Sequence, residues 1–384
     1  MSKPKISVLI PYRQRLANVR NAFAALADQT LSGPDLQVVI GAIEYSPEYA
    51  AVAAEFADRL DIVTVTTGGE WNVSRARNQA LPVVTGEVTV SIDVDMILPP
   101  RCLETLYRQY FADGHDVCVL GQMLGYDDDL TESDVQVDDV RVPPYEELRQ
   151  KTLQMEVEGV DKPDDRILVE PLPLIWTLVW GGLAALRTDT IRRHGLTFDE
   201  AFGGWGAEDQ EWGYRIQATG TPIIMSRDIW GIHLPHRRDA AANQESYQAN
   251  MRHFLTKSPT LDVELARSFG WDDANRLWEE ARREVDSAAG GSTLGVVRGR
   301  VDGAEVLAVG ALLDKASGQP VDPEVAGWLG QGPYEQVLPL LGLALPYRSG
   351  TFAQCRVLPP VHKLAQKYRD AVLREAKRVA EQVG

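Results

Sequence analysis

The sequence predicts an α/β protein in which a mostly parallel central sheet is flanked by helices, followed by an appended, helix-rich C-terminal region. Strand-like and helix-like segments alternate through the first half of the chain, which is typical of a doubly wound sheet. Two carboxylates follow one of these strands, at the sheet edge where such folds bind ligands. From about residue 262 the segments become longer, more helical and more charged. We therefore expect two domains, at 1–260 and 261–384.

The first-domain elements follow from the spacing of apolar residues. Runs rich in β-branched residues indicate strands, and apolar residues at helical spacing, such as Val19, Phe23 and Leu26, indicate helices. The strands are predicted at 6–10, 36–43, 61–66, 88–92 and 116–120, and the helices at 16–27, 102–111 and 210–218, with a short helix closing at 78–81.

The C-terminal region is predicted from its charge pattern and its breakers. The stretch 261–285 is helical with many charges, and the small residues at 288–292 interrupt it. The stretch 294–312 predicts strands or a hairpin around Asp302-Gly303. The stretch 361–383 predicts an amphipathic helix, for which packing against the protein is favoured over a basic membrane-surface helix.

The composition excludes several classes of protein. The 384 residues carry a formal net charge of -16, which disfavours nucleic acid as a partner because polyanion binding needs clustered Lys and Arg. Three scattered cysteines indicate neither a disulfide framework nor a zinc site. The chain passes from Met1 directly into a strand, and its longest uncharged stretch, 171–186, is short for a bilayer span. These features predict a cytoplasmic protein without a membrane span.

Asp93 and Asp95 follow directly on the predicted strand 88–92. Because side chains alternate along a strand, both carboxylates are expected to face the same side. They supply the hard oxygen ligands that Mg²⁺ and Mn²⁺ prefer. An isolated Asp-x-Asp favours a solvated turn, but a second acidic pair, Glu208 and Asp209, follows a glycine-rich segment and reverses this preference in favour of a metal site.

Five motifs occur in an order that resembles the β-1,4-galactosyltransferase and chondroitin-synthase group of GT-A glycosyltransferases, and the first half is also similar to bacterial family-two glycosyltransferases. The resemblance covers about residues 5–255. It implies a Rossmann-like GT-A fold and a metal-dependent, inverting transfer of a sugar from a UDP-sugar to an acceptor hydroxyl. The motifs are Pro11-Tyr-Arg-Gln-Arg15, the segment Trp71-Asn72 to Asn78, Asp93-Val-Asp95, Trp180-Gly181-Gly182 and Gly204-Trp-Gly-Ala-Glu-Asp209.

The resemblance implies a nucleotide-sugar site with a physical reason for each contact. The guanidinium groups of Arg13 and Arg15 suit phosphate oxygens or a ring carbonyl, although Arg15 fits a salt bridge equally well. Trp71 suits stacking on uracil or simple packing. Glu44 suits the base edge or a helix N-terminus. The full set is Pro11, Arg13, Arg15, Glu44, Trp71, Arg75, Asn78, Asp93, Asp95, Trp180, Gly181, Gly182 and Trp205.

The metal site implied by the resemblance joins the two aspartates to a histidine. His236 matches the family's third ligand, and His233 is the competing choice. An imidazole beside two carboxylates favours Mn²⁺ over Mg²⁺ because nitrogen is the softer ligand. The metal ligands are therefore expected among Asp93, Asp95, His233 and His236.

Asp209 occupies the family's general-base position. In an inverting transfer, a carboxylate opposite the leaving phosphate takes the proton of the attacking hydroxyl. Glu208 is then expected to hold an acceptor hydroxyl, and Trp205, flanked by glycines, to form a mobile wall. A purely structural interpretation has Glu208 and Asp209 stabilising the N-terminus of the following helix, and the two interpretations are compatible.

The donor sugar and the acceptor are less well defined. Val179 replaces an aromatic residue of the galactosyltransferases, so a 2-acetamido sugar such as GlcNAc or GalNAc is expected to fit. The acceptor, whether small molecule, peptide or glycan, is not identified, although the acidic stretch 122–170 suits a cationic one. The alternatives are a retaining enzyme resembling polypeptide N-acetylgalactosaminyltransferases and a non-catalytic glycan- or nucleotide-binding module.

Overall fold

The computed structural model describes residues 3–125, 142–236 and 239–384. These residues form two compact units. The first comprises Met1–Val169 and Leu178–Tyr247, and the second comprises Glu170–Thr177 and Gln248–Gly384. Residues 126–141, which are part of the acidic stretch 122–170, lie outside the described residues.

The first unit alternates strands and helices as its apolar pattern predicts. Helix starts in this unit have the residues that favour them. Ser46, for example, accepts a hydrogen bond from the Tyr49 N–H (3.1 Å) and caps a helix that has Pro47 in its first turn. The strands are β1 (Ile6–Tyr12), β2 (Leu36–Ala42), β3 (Asp61–Thr66), β4 (Val88–Ile92), β5 (Met96–Ile97), β6 (Cys118–Leu124), β7 (Leu183–Arg187) and β8 (Ile223–His233). The helices are α1 (Leu16–Ala27), α2 (Pro47–Glu55), α3 (Val73–Ala80), α4 (Cys102–Leu106), α5 (Tyr145–Glu158), α6 (Thr188–His194) and α7 (Glu208–Ala218), and α8 (Ala240–Lys257) follows.

The strands of the first unit form one eight-stranded sheet in the order β3-β2-β1-β4-β7-β6-β8-β5. The half that contains β3, β2, β1 and β4 is parallel, whereas β7 runs antiparallel to both β4 and β6. Strands β1, β2 and β4 are buried along their whole length, as expected where helices cover both faces of a parallel sheet. The prediction of an α/β fold with a mostly parallel central sheet flanked by helices is confirmed.

Helix α3 lies unusually close to the sheet. A Cβ atom added to Gly41 of β2 would lie 1.7 Å from the Ala76 carbonyl oxygen, so only glycine permits this approach. Asn72 caps the helix by accepting a hydrogen bond from the Arg75 N–H (2.9 Å). The close packing brings the polar residues of α3 to the C-terminal edge of the parallel strands, where ligands bind in such folds.

The second unit contains helices and a second sheet, so the expected helix-rich region is α/β in composition. The helices are α9 (Leu261–Phe269), α10 (Trp271–Ala289), α11 (Pro323–Leu329), α12 (Pro359–His362) and α13 (Gln366–Val379). The strands are β9 (Thr293–Val301), β10 (Ala304–Leu313), β11 (Gln336–Leu338), β12 (Phe352–Val357) and β13 (Ala380–Val383), in the order β11-β9-β10-β12-β13.

The C-terminal predictions are confirmed in part. The hairpin around Asp302-Gly303 is β9–β10, with both turn residues at positive φ (50° and 81°). The predicted helix 261–285 is instead two helices, because Gly270 at φ 91° separates α9 from α10. The predicted terminal helix ends at Val379, and the last residues form strand β13 beside β12.

Buried aromatic and polar contacts hold Glu170–Thr177 in the second unit. The Trp176 ring, 0% exposed, meets the Phe254 and Trp271 rings edge-on at 5.7 and 6.0 Å. Asn275 accepts a hydrogen bond from the Leu174 N–H (2.9 Å). The stretch 171–186, which is short for a bilayer span, thus contributes buried residues such as Leu174 and Trp176 to the protein core. Across the described ranges, no helix is both long and apolar enough to cross a bilayer.

Candidate active site

The two aspartates lie in a turn rather than in a strand. Strand β4 ends at Ile92, and residues 93–95 turn back so that β5 pairs with β8, placing Met96 opposite His233. The expectation that strand alternation points Asp93 and Asp95 to one side is therefore wrong. The turn directs Asp95 towards β8 and Asp93 towards α3.

Asp95 is the centre of a buried group of metal-ligand types. Its side chain is 1% exposed, with Oδ1 3.6 Å from His233 Nε2 and Oδ2 3.3 Å from His236 Nδ1. Arg15 Nη1 donates to the same Oδ2. The turn and β8 thus bring together three of the four predicted metal ligands, and Arg15 makes the salt bridge that its sequence context allowed.

This group fits a divalent cation. One ligand atom each from Asp95, His233 and His236 lies within 4.8 Å of the others. Asp95 Oδ1 is buried without a hydrogen-bond partner among the described residues, as expected of an oxygen that serves a cation. Burial raises the pKa of Asp95, and the charges of His233 and Arg15 oppose that rise. A mixed carboxylate and imidazole set suits Mn²⁺.

Asp93 instead meets Arg77. Arg77 Nη2 donates to Asp93 Oδ1 (3.0 Å), and Asp93 is about one-third exposed, at 34%. It lies outside the Asp95 cluster. Its negative charge nevertheless raises the pKa values of Asp95, Glu208 and Asp209, so Asp93 acts on both acidic groups.

Arg77 is a buried cation among carboxylates. Its side chain is 2% exposed, its Nη1 lies 3.7 Å from Glu208 Oε1, and its guanidinium carbon lies 4.8 Å from the Phe198 ring centroid. Arg77 also opposes the raised pKa of Asp209. A single guanidinium therefore compensates the charge of Asp93, Glu208 and Asp209. Arg77 was not among the residues predicted for the site.

Glu208 and Asp209 occupy the first turn of α7, as the structural interpretation predicted. The Gly181 N–H donates to Asp209 Oδ2 (3.0 Å), and the Gln210 N–H donates to Oδ1 (2.9 Å). Burial raises the pKa of both acids, that of Glu208 to about 8, and the charge of Asp209 adds to the rise at Glu208. Because two backbone N–H groups donate to Asp209 and stabilise its charged form, we infer that Asp209 ionises before Glu208 does.

The Gly181-Gly182 pair leaves room for these side chains. A Cβ on Gly181 would lie 2.6 Å from Arg77 Nη2, and one on Gly182 would lie 2.4 Å from the Met123 terminal methyl. The same hypothetical Cβ on Gly182 would be 3.1 Å from Asp93 Oδ2. The glycines therefore allow β7 to approach the acidic groups, and their backbone orients Asp209.

Trp205 lies on a loop that α8 anchors. Its side chain is 44% exposed, and its backbone N–H donates to Ser246 Oγ (3.0 Å). Gly204 and Gly206 adopt positive φ (67° and 94°), and a Cβ on Gly204 would lie 2.6 Å from the Ser246 Cβ. The exposed indole near Tyr247, with centroids 6.1 Å apart, is consistent with the expected wall.

The β1 end carries the other predicted donor-site residues. Pro11 is buried, Arg13 is exposed, and Gln14 and Arg15 both adopt φ 54°, an uncommon conformation for residues other than glycine. The Gln14 N–H donates to Glu44 Oε1 (3.2 Å), so Glu44 lies beside this turn rather than at a helix N-terminus. The turn gathers two arginines and a carboxylate at the C-terminal sheet edge.

The predicted donor-site residues on and just before α3 differ in their surroundings. Trp71 is half-buried just before the helix, and Arg75 Nη2 donates to the Glu70 carbonyl (2.9 Å). Asn78 donates to the Phe198 carbonyl (2.8 Å) and accepts from the Phe198 N–H (2.8 Å). The contacts of Asn78 favour a role in holding the segment before α7 over a contact with the donor.

Trp180 is braced by a second buried arginine that the sequence analysis missed. The guanidinium of Arg166 lies 4.1 Å from the Trp180 ring centroid, and its Nη1 donates to the Leu178 carbonyl (3.0 Å). Asp164 pairs with Arg166 and accepts from the Met123 N–H (2.8 Å). Trp180 is thereby fixed from behind, immediately before Gly181.

The match to a known family falls within the first unit. Residues 7–161 match the family model described as glycosyl transferase family 2. Over 266 residues, or 68% of the chain, the sequence is 29% identical to validoxylamine A glucosyltransferase of Streptomyces hygroscopicus subsp. jinggangensis (strain 5008) and of S. hygroscopicus subsp. limoneus. The chain spans 63% and 58% of the length of these curated relatives.

Solved structures also resemble the chain at low identity. Staphylococcus aureus TarS 1–349 matches with a TM-score of 0.47 and 15% identity over 74% of each chain. The mannosyltransferase PcManGT from Pyrobaculum calidifontis, solved with GDP-Man and Mn²⁺, matches with a TM-score of 0.47 and 17% identity over 76% of this chain and 77% of its own.

Proposed function

We propose that the chain, whose residues 7–161 match the glycosyl transferase family 2 model, is a GT-A enzyme that transfers a sugar, with inversion, from a UDP-sugar to an acceptor hydroxyl with the aid of a divalent metal ion. One observation carries the proposal: Asp93 pairs with Arg77 of the Arg77–Glu208–Asp209 group, and Asp95, two residues later in the same turn, belongs to the group with His233 and His236. This juxtaposition supplies a cation site beside a carboxylate base.

Asp209 acts as the base in this proposal. Its carboxylate accepts the proton of the attacking hydroxyl, while the Gly181 and Gln210 N–H groups hold it in position. Glu208, with its pKa raised to about 8, carries a proton at neutral pH and offers a hydrogen bond to an acceptor oxygen. Inversion follows if the attacking hydroxyl lies on the face of the sugar opposite the leaving group.

Other residues bind the donor in the proposal. Arg13 and Arg15, on the turn after β1, contact diphosphate oxygens, and the half-buried Trp71 stacks on the base. Asp95, His233 and His236 hold the metal, which would neutralise charge on the departing diphosphate. Asp93 remains a proposed partner of the donor or metal.

The donor sugar separates two versions of the proposal. Val179 is 0% exposed, so the volume gained by having valine in place of an aromatic residue lies inside the protein. A 2-acetamido sugar can use this volume only if it forms a cavity that opens to the donor sugar. The matched relatives are named as glucosyltransferases, which favours glucose as the alternative.

A donor screen tests the proposal without knowledge of the acceptor. We expect the unfolding temperature of the protein in Mn²⁺ to rise when one UDP-sugar is added, compared with the same protein in Mn²⁺ without a nucleotide sugar. The reason is that a ligand that binds only the folded state stabilises it. The arms are UDP-glucose, UDP-galactose, UDP-GlcNAc and UDP-GalNAc. If none of these UDP-sugars raises the unfolding temperature and GDP-sugars do, the proposal of a UDP-sugar donor is rejected. Once an acceptor is found, the product anomer, determined by NMR, distinguishes inversion from retention.

The metal site makes a direct prediction. We expect His236→Ala to weaken Mn²⁺ binding at least about tenfold, because even outer-shell partners of a metal contribute about 10–100-fold. Isothermal titration with MnCl₂ measures the effect, and chelation should abolish transfer. The control is His115→Ala, which removes an exposed imidazole outside the cluster. Equal Mn²⁺ affinities for both variants would show that the cluster does not bind the ion.

The raised pKa of Asp209 predicts the acid limb of the pH profile. Because burial disfavours its charged form, Asp209 takes up a proton at a higher pH than an ordinary aspartic acid, and the rate falls as pH decreases through that value. We therefore expect the fall in transfer rate with decreasing pH to be centred above about pH 4, which is where an ordinary aspartic acid titrates. Rates between pH 4 and 8 measure it. A limb at or below the ordinary range would contradict Asp209 as the buried base.

A further inference from the structure

A buried ion pair contacts the segment that leads to Gly181. The side chains of Arg166 and Asp164 are 3% and 4% exposed, and Arg166 Nη2 lies 2.5 Å from Asp164 Oδ2. Asp164 also accepts hydrogen bonds from the backbone N–H groups of Met123 (2.8 Å) and Arg166 (3.0 Å). The carboxylate is thus held by the backbone of β6, and it fixes the guanidinium of Arg166 in one orientation.

Arg166 uses its other donors on two backbone carbonyls that are far apart in sequence. Its Nη1 donates to the Leu178 carbonyl (3.0 Å), and its Nη2 donates to the Gly121 carbonyl (3.0 Å). Its guanidinium carbon lies 4.1 Å from the Trp180 ring centroid, a distance at which the cation attracts the ring. A lysine has fewer donors and no planar face, so it cannot reproduce this set of contacts.

The segment that Arg166 holds ends at a hydrogen bond to the proposed base. The Gly181 N–H donates to Asp209 Oδ2 (3.0 Å), and the Ser91 hydroxyl donates to the Gly181 carbonyl (2.9 Å). Arg166 therefore anchors the beginning of the segment 178–181, and Ser91 anchors its end. The direction of the Gly181 N–H depends on both anchors.

The location of this ion pair indicates a role beyond stability. A buried ion pair is often no more stabilising than apolar residues of the same volume, because the cost of desolvation offsets the attraction. Asp164 and Arg166 are two residues apart at the start of the 3₁₀ helix Asp165–Leu168, so their pairing by itself joins no distant segments. We propose that Arg166 is a positioning residue for the catalytic base, holding the segment 178–181 so that the Gly181 N–H orients Asp209. The inference rests on the proposed function, in which Asp209 is the base.

Arg166→Lys in the whole chain tests the proposal. The lysine keeps a positive charge beside Asp164 but loses the stacking on Trp180 and at least one carbonyl contact. We expect the transfer rate at saturating donor to fall about tenfold or more, because a misplacement of about 1 Å can cost about 10²-fold. In an Asp209→Asn background the same substitution should cause no further loss, since Arg166 acts through Asp209. Losses that multiply would overturn the proposal.

Arg187→Lys is the matched control. Arg187 also pairs with a carboxylate, that of Glu87 (2.8 Å), and donates to two carbonyls, those of His115 (2.9 Å) and Phe111 (3.0 Å). It lies at the end of β7 that is remote from Gly181. We expect this control to lose folding stability, measured by urea denaturation, but to keep the wild-type transfer rate. An equal fall in rate in the two lysine variants would assign both arginines to the framework and overturn the proposal.

The NMR resonance of the Gly181 amide reports the contact without any turnover. Asp209→Asn changes the group that accepts this N–H, so it should shift the resonance. We expect the same substitution to cause a smaller shift in Arg166→Lys, because the hydrogen bond is already displaced, and an equal shift would overturn the proposal. If the wild type transfers no sugar, the proposed function fails, whereas the amide measurement still decides whether Arg166 positions Gly181.

Asp164→Asn provides a second variant if Arg166→Lys does not fold. The asparagine removes the charge that holds the guanidinium but leaves Arg166 itself in place. We expect a smaller fall in transfer rate than in Arg166→Lys, again with no further loss in the Asp209→Asn background. A loss of the same size in both backgrounds would overturn the proposal.

Discussion

Asp209→Asn is expected to reduce transfer by about 10²–10⁴-fold while leaving donor binding intact. The asparagine keeps an oxygen that accepts the Gly181 N–H but cannot take the proton of an attacking hydroxyl. Loss of one carboxylate from the first turn of α7 should cost less than about 1 kcal/mol of folding free energy. The measurements are initial transfer rates at saturating donor and the dissociation constant of UDP in Mn²⁺.

Two companion variants separate catalysis from packing. Asp189→Asn removes an exposed carboxylate, 73% exposed, and should leave the rate unchanged. Glu208→Gln keeps a hydrogen-bond donor and should reduce the rate less than Asp209→Asn does. A non-catalytic binding module would show no turnover in any form of the protein. An unchanged rate in Asp209→Asn would exclude this residue as the base and favour a retaining mechanism.

The fold was most predictable where local periodicity and tertiary burial agree. Helix α1 and strand β4 have the predicted bounds because their apolar residues repeat at the period of the element and are buried. Strand β3 also has the predicted bounds, although none of its residues is buried. Strand β8 was not predicted, since Ser226, Arg227 and Asp228 interrupt it where its pairing with β6 shifts register. Such irregular pairing depends on the neighbouring strand and leaves little signal in the local sequence.

The site was predictable in its residue types and less so in its geometry. Asp95, His233 and His236 were all predicted as ligands, and the structure brings them together. The separation of Asp93 from this group could not be predicted from a strand pattern, because β4 ends before the diacid begins. Whether a turn separates two neighbouring side chains depends on the pairing of β5 with β8, which is a long-range contact.

Arg77 illustrates a signal that was present in the sequence. On α3 it shares a face with Ser74 and Ala80, each three residues away, and the structure buries this face. A charged side chain on a face of small residues must be paired inside the protein or reach a ligand. Its partners, however, come from segments far apart in sequence, so the carboxylates that it compensates could be identified only from the structure.

Arg77→Met is expected to destabilise the protein by about 3 kcal/mol, because it leaves Asp93, Glu208 and Asp209 without their shared cation. Methionine preserves much of the side-chain volume beside Phe198, so the loss is mainly of charge and hydrogen bonds. Urea denaturation measures the change. Arg20→Met is the matched control, since its partner Glu55 is exposed and such a pair contributes about 0–1 kcal/mol.

The reason for the loss can be tested by removing one of the stranded carboxylates. If Arg77 acts as a counter-charge, the double variant Arg77→Met/Asp93→Asn should be more stable than the sum of the two single effects predicts, by at least about 1 kcal/mol. Additive effects would instead assign Arg77 to packing over Phe198. The counter-charge role also predicts that Arg77→Met moves the acid limb of transfer to higher pH, because the positive charge of Arg77 favours ionised Asp209.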